Sequence, residues 1–513
     1  MKDFKILDCT IRDGGYYTNW DFDSSIVTKY FTNIDKLPID YIEIGYRNLF
    51  QNQYRGEFFY TPLSTLKNIK TLTSKPIVLI INEKDIHEND LENLLQPCKG
   101  YVHMIRIALN PDRFDIGRLK AKKIKKQGFK VALNLMYLSK WHNNNDFLKK
   151  FDGIESIIDY LYLVDSFGSI YPNQLSTTIE KVKTITQVKL GFHGHNNLEL
   201  AFANSIEAIN SGVEIIDSTI LGMGRGAGNL KTELLLTEKV ESAKVDFNIV
   251  SSLVSDFEEL LKKYSWGTNL PYIISGFNSL PQKKVMDWMG KKFISFNTIV
   301  QALQNSIKKD KEIKFPSLEL KKQYKSVLII GGGDSIKKNK KGIAEFINNS
   351  ENLLLIFSSS RYLKYFIDQP IDKCVVFIGN ESDRFDIRNN KKNYKLNIVL
   401  PPSPREFGTY VPKQWEDNTF ELEKDLTQKE ESISHCSLSL EIASKTKLNQ
   451  FFLAGFDGYS DNDFSNHKRE LFDENDKSFK HFSKKGLKLL SLTPSLYKNL
   501  ISDSVYGRLE NQK

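Results

Sequence analysis

Eight short apolar segments, separated by segments with helical periodicity, constrain the fold of this chain more than any other feature of its sequence. Each is a nearly continuous run of apolar residues, as in parallel strands that are buried on both faces. The apolar runs cover residues 4–9, 41–45, 77–81, 103–109, 131–135, 160–164, 189–193 and 214–220, and helical patterns lie at 25–37, 62–73, 117–127, 174–185, 198–211 and 230–240. Eight such units within about 240 residues predict a (β/α)8 barrel, the TIM-barrel fold.

Polar residues cluster at the ends of these runs, where a barrel of this kind carries its functional site. They are Asp8, Glu43, Asn82, Arg106, Asn134, Asp165, His193 and His195. Any one of them could be a loop cap or an ordinary surface residue, but all eight fall on one predicted rim. The sequence therefore predicts the functional site there, with the segment that contains Arg12 and Asp13 belonging to the first strand.

The remainder of the chain predicts a second, smaller α/β domain. Residues 246–310 have helical character and residues 311–325 form a lysine-rich linker, after which apolar runs recur at 326–330, 353–357, 374–378, 396–400 and 451–455. We therefore divide the chain into a barrel at 1–245, a helical extension at 246–310, a linker at 311–325 and a Rossmann-like α/β domain at 326–513.

Composition narrows the classes of function. The net charge of +9 arises from 72 basic and 63 acidic residues, which is too mild and too dispersed for a nucleic-acid footprint. The four cysteines are far apart and show no CxxC spacing, so a disulfide framework is not expected and a reducing cytoplasm fits best. The N-terminus does not resemble a signal peptide, and no run approaches the roughly 20 apolar residues of a membrane span.

A divalent metal site is predicted from His193, His195 and Asp13. Residues i and i+2 of a strand point to the same side, so both imidazoles can bind one ion, with Asp13 supplying an oxygen and Asn229 a further candidate. This donor set favours Mn²⁺ or Mg²⁺, with Zn²⁺ and Fe²⁺ as alternatives, and it lacks the cysteines usual in structural zinc sites. A metal beside the guanidinium of Arg12 suits the binding of a 2-oxo acid and the stabilisation of its enolate.

Five ordered motifs resemble the metal-dependent aldolase and Claisen-condensing barrels. They are DCTIRDG at 8–14, YIEIG at 41–45, DSFGSIYP at 165–172, GFHGHNN at 191–197 and GAGNLKTE at 226–233. That superfamily includes hydroxymethylglutaryl-CoA lyase, isopropylmalate and homocitrate synthases and 4-hydroxy-2-oxovalerate aldolase, and the last is the nearest in kind. The resemblance extends over about residues 1–290 and implies a lyase that uses a divalent metal.

The resemblance also implies a role for each matching residue. Asp13, His193 and His195 would hold the metal, Asn229 would be a fourth or outer ligand, and Arg12 would stabilise the enolate oxygen. Glu43 and Glu233 would orient metal-bound water or the ligands, and the turn at Asp165 and Ser166 would contact the substrate through backbone amides. We also place Asp8 and Asn134, from the same predicted rim, among the residues that support the ligands.

One position departs from the aldolase pattern. Where those enzymes have a histidine that acts as base, three residues after the metal-binding aspartate, this chain has Tyr16, followed by Tyr17. A phenol, with an ordinary pKa near 10, is a poor base unless its surroundings lower that value. The base is therefore Tyr16, a metal-bound hydroxide or another residue.

The second domain opens with a glycine-rich turn between a strand and a helix. Gly331, Gly332, Gly333, Asp334 and Ser335 form a turn that could cradle phosphate or could simply be tight. With the segments at 434–443, 453–458 (which contains Asp457) and 492–495, the domain resembles bacterial flagellin-modifying and sialyltransferase-like proteins, although their proline in this turn is missing here. The resemblance implies a nucleotide, a nucleotide sugar or another diphosphate, and a domain used only for docking is equally compatible.

The sequence therefore predicts a bacterial, cytoplasmic, metal-dependent carbon–carbon lyase that acts on a 2-oxo acid and feeds the biosynthesis of a surface glycan. Barrels of this superfamily commonly pair, so a homodimer is expected, and no nucleic-acid or membrane partner is. The alternatives are an acyl-CoA-dependent Claisen synthase on the same barrel, a bifunctional protein whose C-terminal domain is a glycosyl- or nucleotidyltransferase, and a non-catalytic scaffold.

Overall fold

The computed structural model describes residues 3–241, 243–290, 294, 296–308, 313–385, 394–403, 405, 407, 411–423, 433–459 and 466–510. The chain divides into two compact units, Met1–Met286 and Asp287–Lys513. This division falls inside residues 246–310, which the sequence treats as a single helical extension. No helix in the described part of the chain is both long and apolar enough to span a membrane.

The first unit contains a closed barrel of eight parallel strands that are hydrogen-bonded in sequence order, with β8 pairing back to β1. The strands are β1 Lys5–Asp8, β2 Tyr41–Tyr46, β3 Ile77–Asn82, β4 Val102–Leu109, β5 Lys130–Leu135, β6 Tyr160–Asp165, β7 Lys189–Gly194 and β8 Ile215–Ser218. Each overlaps one of the eight apolar runs, so the predicted TIM barrel is confirmed.

Helices of the first unit alternate with these strands and continue beyond them. They are α1 Thr10–Thr18, α2 Ser24–Ile34, α3 Glu57–Tyr60, α4 Leu63–Leu72, α5 Leu91–Leu95, α6 Phe114–Lys126, α7 Leu138–Trp141, α8 Asn145–Leu148, α9 Pro172–Ile185, α10 Ala201–Asn210, α11 Thr232–Leu235, α12 Phe247–Tyr264 and α13 Leu270–Phe277, followed by α14 Gln282–Gly290 at the division. The helix predicted at 230–240 is only the short α11 and a 3-10 turn, Leu236–Lys239.

Two hydrophobic layers hold the barrel together. A small cluster, which includes Leu7, Val78, Met104 and Tyr162, is formed by strand residues. Alternate residues of the same strands, such as Ile6 and Leu79, belong to a much larger cluster with residues of the surrounding helices. Because both faces of each strand are covered, the strands read as continuous apolar runs in the sequence.

The turn after β1 corrects one expectation of the sequence. Arg12 and Asp13 lie on α1 and not on the first strand. The strand ends at Asp8, whose carboxylate accepts hydrogen bonds from the backbone N–H (2.9 Å) and the hydroxyl (2.6 Å) of Thr10. This local bonding turns the chain into a helix at the barrel rim.

The second unit is built on an eight-stranded parallel sheet. Its strands are β9 Ser326–Ile330, β10 Leu353–Phe357, β11 Asp372–Val376, β12 Leu396–Leu400, β13 Thr419–Glu421, β14 Gln450–Ala454, β15 Lys488–Ser491 and β16 Ile501–Ser502. The spatial order is β13-β12-β11-β10-β9-β14-β15-β16, so the direction of winding reverses between β9 and β14. The sequence did not predict β13, β15 or β16, which are short or partly polar.

The helices of the second unit are α15 Phe296–Lys308, α16 Ser335–Lys338, α17 Lys340–Asn349, α18 His435–Ser444, α19 Asn466–Lys484 and α20 Val505–Glu510. Alternate residues of β9 enter two different hydrophobic clusters. Leu328 and Ile330 belong to one, and Val327 and Ile329 belong to the other. The sheet is therefore covered on both faces, as in a doubly wound α/β domain.

Candidate metal-binding active site

Helix α1 carries Arg12 and Asp13 on the barrel rim. Both side chains are buried, and the Arg12 guanidinium forms an ion pair with the Asp13 carboxylate. Arg12 Nε also donates to Glu43 Oε2 at 2.6 Å, and the indole N–H of Trp20 donates to the backbone carbonyl of Arg12 at 2.9 Å. The guanidinium is thus held in place before any substrate binds.

His193 lies on β7, and His195 is the first residue after that strand. Both side chains are buried, and the centroids of their rings are 5.0 Å apart. His193 Nδ1 lies 2.9 Å from Asp217 Oδ2, and His195 Nδ1 lies 2.8 Å from the backbone oxygen of Asp165. A carbonyl oxygen can only accept, so His195 Nδ1 carries the proton and Nε2 of the neutral ring has the lone pair. Outer hydrogen bonds of this kind commonly orient histidines that bind metals.

A group of side chains that can hold a metal ion is formed by Cys9, Asp13 and His193, whose ligand atoms all lie within 4.8 Å of one another. His195 is adjacent to this group but is not part of it. Asn229 Nδ2 donates to Asp13 Oδ2 at 2.7 Å, while the buried Asn229 Oδ1 has no hydrogen-bond partner among the described residues. An unpartnered buried oxygen beside a carboxylate and an imidazole fits a divalent cation.

Electrostatics place the ligands in the forms that a metal binds. Burial by itself would raise the pKa of the Asp13 carboxyl, but the charge of Arg12 and the imidazoles overcome this effect and lower that pKa to about 2. Burial, reinforced by His193 and Arg225, lowers the pKa of His195 to about 3. At neutral pH Asp13 is therefore a carboxylate and His195 a neutral imidazole.

Behind these residues is a network that the sequence revealed only in part. Arg106, fully buried on β4, donates from Nη2 to Asp217 Oδ2 at 2.5 Å and lies 3.3 Å from Glu43 Oε1 through Nη1. Its Nε donates to Asn134 Oδ1 at 2.9 Å. Arg106 thus connects the carboxylates that hold Arg12 and His193. Asp217 was missed, and its only sequence signal is one acidic residue within the apolar run of β8.

Tyr16 lies one helical turn after Arg12, and therefore on the same face of α1. Its hydroxyl is 2.7 Å from that of Tyr46, and the guanidinium carbon of Arg225 is 4.6 Å from the centroid of its ring. Burial, followed by the neighbouring Tyr16, raises the pKa of Tyr46 far above its ordinary value, so Tyr46 remains a neutral phenol. The sequence singled out neither Tyr46 nor Arg225.

Asp165 and Ser166 are held mainly by their own loop. The Asp165 carboxylate accepts backbone N–H groups of Ser169 (3.1 Å) and Ile170 (3.2 Å), and burial raises its pKa to about 6. Ser166 Oγ accepts from the backbone N–H of Tyr137 at 2.9 Å. The clearest link from this turn to the candidate site is the Asp165 carbonyl that holds His195.

The other predicted residues occupy supporting positions. Asp8 accepts from Tyr30 and Thr232, each at 2.5 Å, and Glu233 Oε2 accepts from the backbone N–H of Leu221 at 3.1 Å. The Asn82 amide donates to Asp85 at 2.9 Å, within its own loop. The structure therefore places Asp8 and Glu233 at turns that shape the rim, and it does not bring Asn82 to the group around Asp13.

The glycine-rich turn of the second unit lies at the carboxyl end of β9, where the winding of the sheet reverses. The Asp457 carboxylate accepts the backbone N–H of Ser335 at 2.8 Å and also its hydroxyl, and the Asp334 carboxylate accepts the hydroxyl of Tyr362 at 3.0 Å. Gly331 packs closely against Gly455, because a Cβ at position 331 would lie 2.5 Å from the Gly455 oxygen. A phosphate in this turn would have to compete with Asp457 for the N–H of Ser335.

Comparison with known proteins agrees with the geometry of the barrel. The family model HMGL-like matches residues 121–260. An oxaloacetate decarboxylase of Mycobacterium tuberculosis is 26% identical over 55% of this chain and 84% of its own, and a 4-hydroxy-2-oxovalerate aldolase of Carboxydothermus hydrogenoformans is 29% identical over 46% of this chain and 70% of its own.

A crystal structure gives a stronger match. The N-terminal domain of a candidate aldolase from Bacteroides vulgatus is 51% identical, covers 58% of this chain and all of its own, and superposes with a TM-score of 0.55. Residues 121–260 therefore belong to an HMGL-like domain, and the barrel is that of an aldolase-like enzyme.

Proposed function

We propose that the barrel is a divalent-metal-dependent carbon–carbon lyase that acts on a 2-oxo acid. The observation that carries this proposal is the position of Arg12, fixed by Glu43 at 2.6 Å and in contact with Asp13, the central residue of the candidate metal group. A fixed cation beside a metal site is suited to the negative charge that develops on the oxygen of an enolate.

The metal would be held by Asp13, His193 and His195, with the Asn229 oxygen as a further donor. These oxygen and imidazole donors suit Mn²⁺ or Mg²⁺ better than a structural zinc site would. When bound, such an ion supplies Lewis acidity that draws electrons from the carbonyl of a 2-oxo acid. Asp217 and the Asp165 carbonyl orient the two imidazoles for this task.

Arg12 is the side chain that we assign to stabilising the charge of the enolate. Arg12 donates N–H groups to the substrate oxygen that becomes negative when the C3–C4 bond breaks. Its guanidinium is already desolvated and bonded, so little reorganisation is needed during the reaction. Glu43 prevents Arg12 from turning away, and Arg106 in turn fixes Glu43.

Tyr16 is the group that we assign to proton transfer. Its oxygen lies on the Arg12 side of α1 and, in the deprotonated form, would accept the proton of the C4 hydroxyl as the C3–C4 bond breaks and then return that proton to the enolate carbon. The Tyr46 hydroxyl, 2.7 Å away, holds the phenol oxygen in position.

The proposal is tested by proton exchange. Metal-loaded protein, mixed with pyruvate in D₂O, should exchange the methyl protons of pyruvate in a reaction that EDTA abolishes and added Mn²⁺ restores. A 4-hydroxy-2-oxo acid should release pyruvate under the same conditions. Absence of exchange with pyruvate alone, and with pyruvate plus acetyl-CoA, contradicts the lyase and the Claisen alternative together.

Several finer proposals accompany this activity. We propose that the protein works as a homodimer in the cytoplasm, which sedimentation and fractionation can check. We propose that its product enters a surface glycan, because the motifs of the second domain resemble those of flagellin-modifying and sialyltransferase-like proteins; deletion of the gene should then alter that glycan. The second domain would bind a nucleotide or nucleotide sugar, and thermal shift of the full chain with these ligands tests that binding.

A further inference from the structure

Arg225 is an arginine at the metal site without an acidic partner. Among the residues that the structure describes, no carboxylate lies within ion-pair distance of its guanidinium, and none accepts a hydrogen bond from it. The other two arginines close to the site differ, because Arg12 binds Asp13 and Glu43, and Arg106 binds Asp217. The Arg225 guanidinium instead lies over the ring of Tyr16, with its carbon 4.6 Å from the ring centroid.

The loop that carries Arg225 is firmly held. A Cβ at Gly224 would lie 2.5 Å from Asn229 Nδ2, so the chain passes directly over the Asn229 amide. On the other side, Gly226 adopts a φ of +62° and its N–H donates to the hydroxyl of Tyr17 at 3.1 Å. The backbone of Arg225 is therefore fixed between a candidate metal ligand and α1.

Arg225 lies next to Tyr16, the residue that we assign to proton transfer. The guanidinium of Arg225 lies over the ring of Tyr16, and none of its N–H donors is bonded to another residue that the structure describes, so they remain for another acceptor. The charge of Arg225 also contributes to lowering the pKa of His195, after burial and His193. A partly buried cation without a partner is costly, and an anionic ligand removes that cost.

We propose that Arg225 binds a second anionic group of the substrate, so that the substrate is a 2-oxo acid with a carboxylate or a phosphate beyond the bond that breaks. This inference rests on the proposed lyase function. Arg12 and the metal group then serve the 2-oxo acid end of the substrate, and Arg225, above Tyr16, serves the other end. A planar guanidinium can hold either kind of anion with two parallel hydrogen bonds.

Binding of unreactive analogues tests the proposal without turnover. Malate differs from lactate by one carboxylate, and 3-phosphoglycerate differs from glycerate by one phosphate. Calorimetry with the full-length, metal-loaded protein should show tighter binding of the member with the second anionic group in at least one pair, and that pair identifies the anion. In Arg225→Met the advantage of that member should shrink by about 10- to 100-fold, and Arg225→Lys should retain part of it.

Arg55→Met is the matched control. Arg55 also stacks on an aromatic ring, that of Trp20 at 5.6 Å, but its guanidinium donates to Asn19 at 2.8 Å, so its loss should leave both pairs unchanged. Equal affinity of the wild type for both members of each pair, or an undiminished difference in Arg225→Met, overturns the proposal.

Turnover separates this inference from the function on which it rests. Exchange of pyruvate protons needs no second anion, so Arg225→Met should keep it within about twofold, while kcat/KM for oxaloacetate falls by about 10- to 100-fold. Loss of exchange and of oxaloacetate turnover to the same degree would overturn the specificity role. Absence of exchange in the wild type would contradict the lyase proposal, while the analogue affinities would still decide the role of Arg225.

Discussion

Both units of the chain carry polar residues at the carboxyl ends of parallel strands, but these residues are bonded in different ways. In the barrel, Arg12 and His193 are held from behind by Glu43 and Asp217, and their other donor or acceptor atoms face the candidate metal group. In the second unit, Asp457 takes up the N–H and the hydroxyl of Ser335. Position in the fold therefore does not by itself set the strength of a site, because polar atoms that are already bonded, such as those of Ser335, have less capacity left for a ligand.

The largest effect should come from Asp13→Ala. The central carboxylate of the metal group is lost and Arg12 loses a partner, so bound metal and lyase activity should both fall to background. Metal analysis of the purified protein and pyruvate exchange measure the two effects. Asp40→Ala removes a carboxylate that instead accepts the backbone N–H of Ile6 at 2.8 Å, and it should retain both. Full metal content in Asp13→Ala would place the metal on other residues.

Arg12→Lys should separate charge stabilisation from metal binding. Lysine keeps the positive charge but lacks the planar guanidinium that contacts Glu43 and Asp13 together. The metal content should therefore remain, while turnover falls because roughly 2–4 kcal/mol of transition-state stabilisation is lost. Arg47→Lys, at an arginine that donates to the backbone carbonyls of Leu94 and Tyr60, is the control. Unchanged turnover in Arg12→Lys would refute the enolate role.

Asp217→Asn tests the network of Asp217 and Arg106 that lies behind His193. The amide cannot replace the carboxylate that faces both His193 and Arg106, and metal affinity should fall by about 10- to 100-fold. A titration with Mn²⁺ measures the change. Asp159→Asn, which alters a carboxylate that accepts the backbone N–H of Val131 at the start of β5, serves as comparison. Equal Mn²⁺ affinities in the two variants would show that the network does not tune the metal.

The smallest effect should follow from Asp457→Ala in the second unit. Ser335 loses its acceptor, which should lower the free energy of unfolding by about 1–3 kcal/mol in a denaturant titration. The exchange of pyruvate protons should not change. Asp503→Ala breaks an ion pair with Arg508, where a smaller loss is expected. A fall in lyase activity in Asp457→Ala would contradict the view that Asp457 only stabilises the second unit.

The sequence was informative where a local pattern determines the structure. The period of the apolar runs is a property of each strand, so all eight barrel strands were predicted. The helix that carries Arg12 and Asp13 was not, because Gly14 and Gly15 have low helical propensity and the segment continues an apolar run.

Other parts of the site depend on contacts between distant residues. Asp217 acts through Arg106, which is 111 residues away, and Tyr46 acts through Tyr16, which is 30 residues away. Neither pair has a spacing that a sequence pattern would mark. That no carboxylate among the described residues pairs with Arg225 is likewise a property of the folded chain, because it depends on which side chains lie nearby.

The bond between Asn229 and Asp13 joins residues 216 positions apart, and Asp217 belongs to the strand that closes the barrel. During synthesis, Asp13 therefore leaves the ribosome long before its partners exist. A metal ion at the proposed site would not organise the chain early in folding, because the proposed ligands come together only once β8 has paired with β1. Metal added to growing cells would thus bind only barrels that have already folded. It would stabilise the folded protein without increasing its rate of folding.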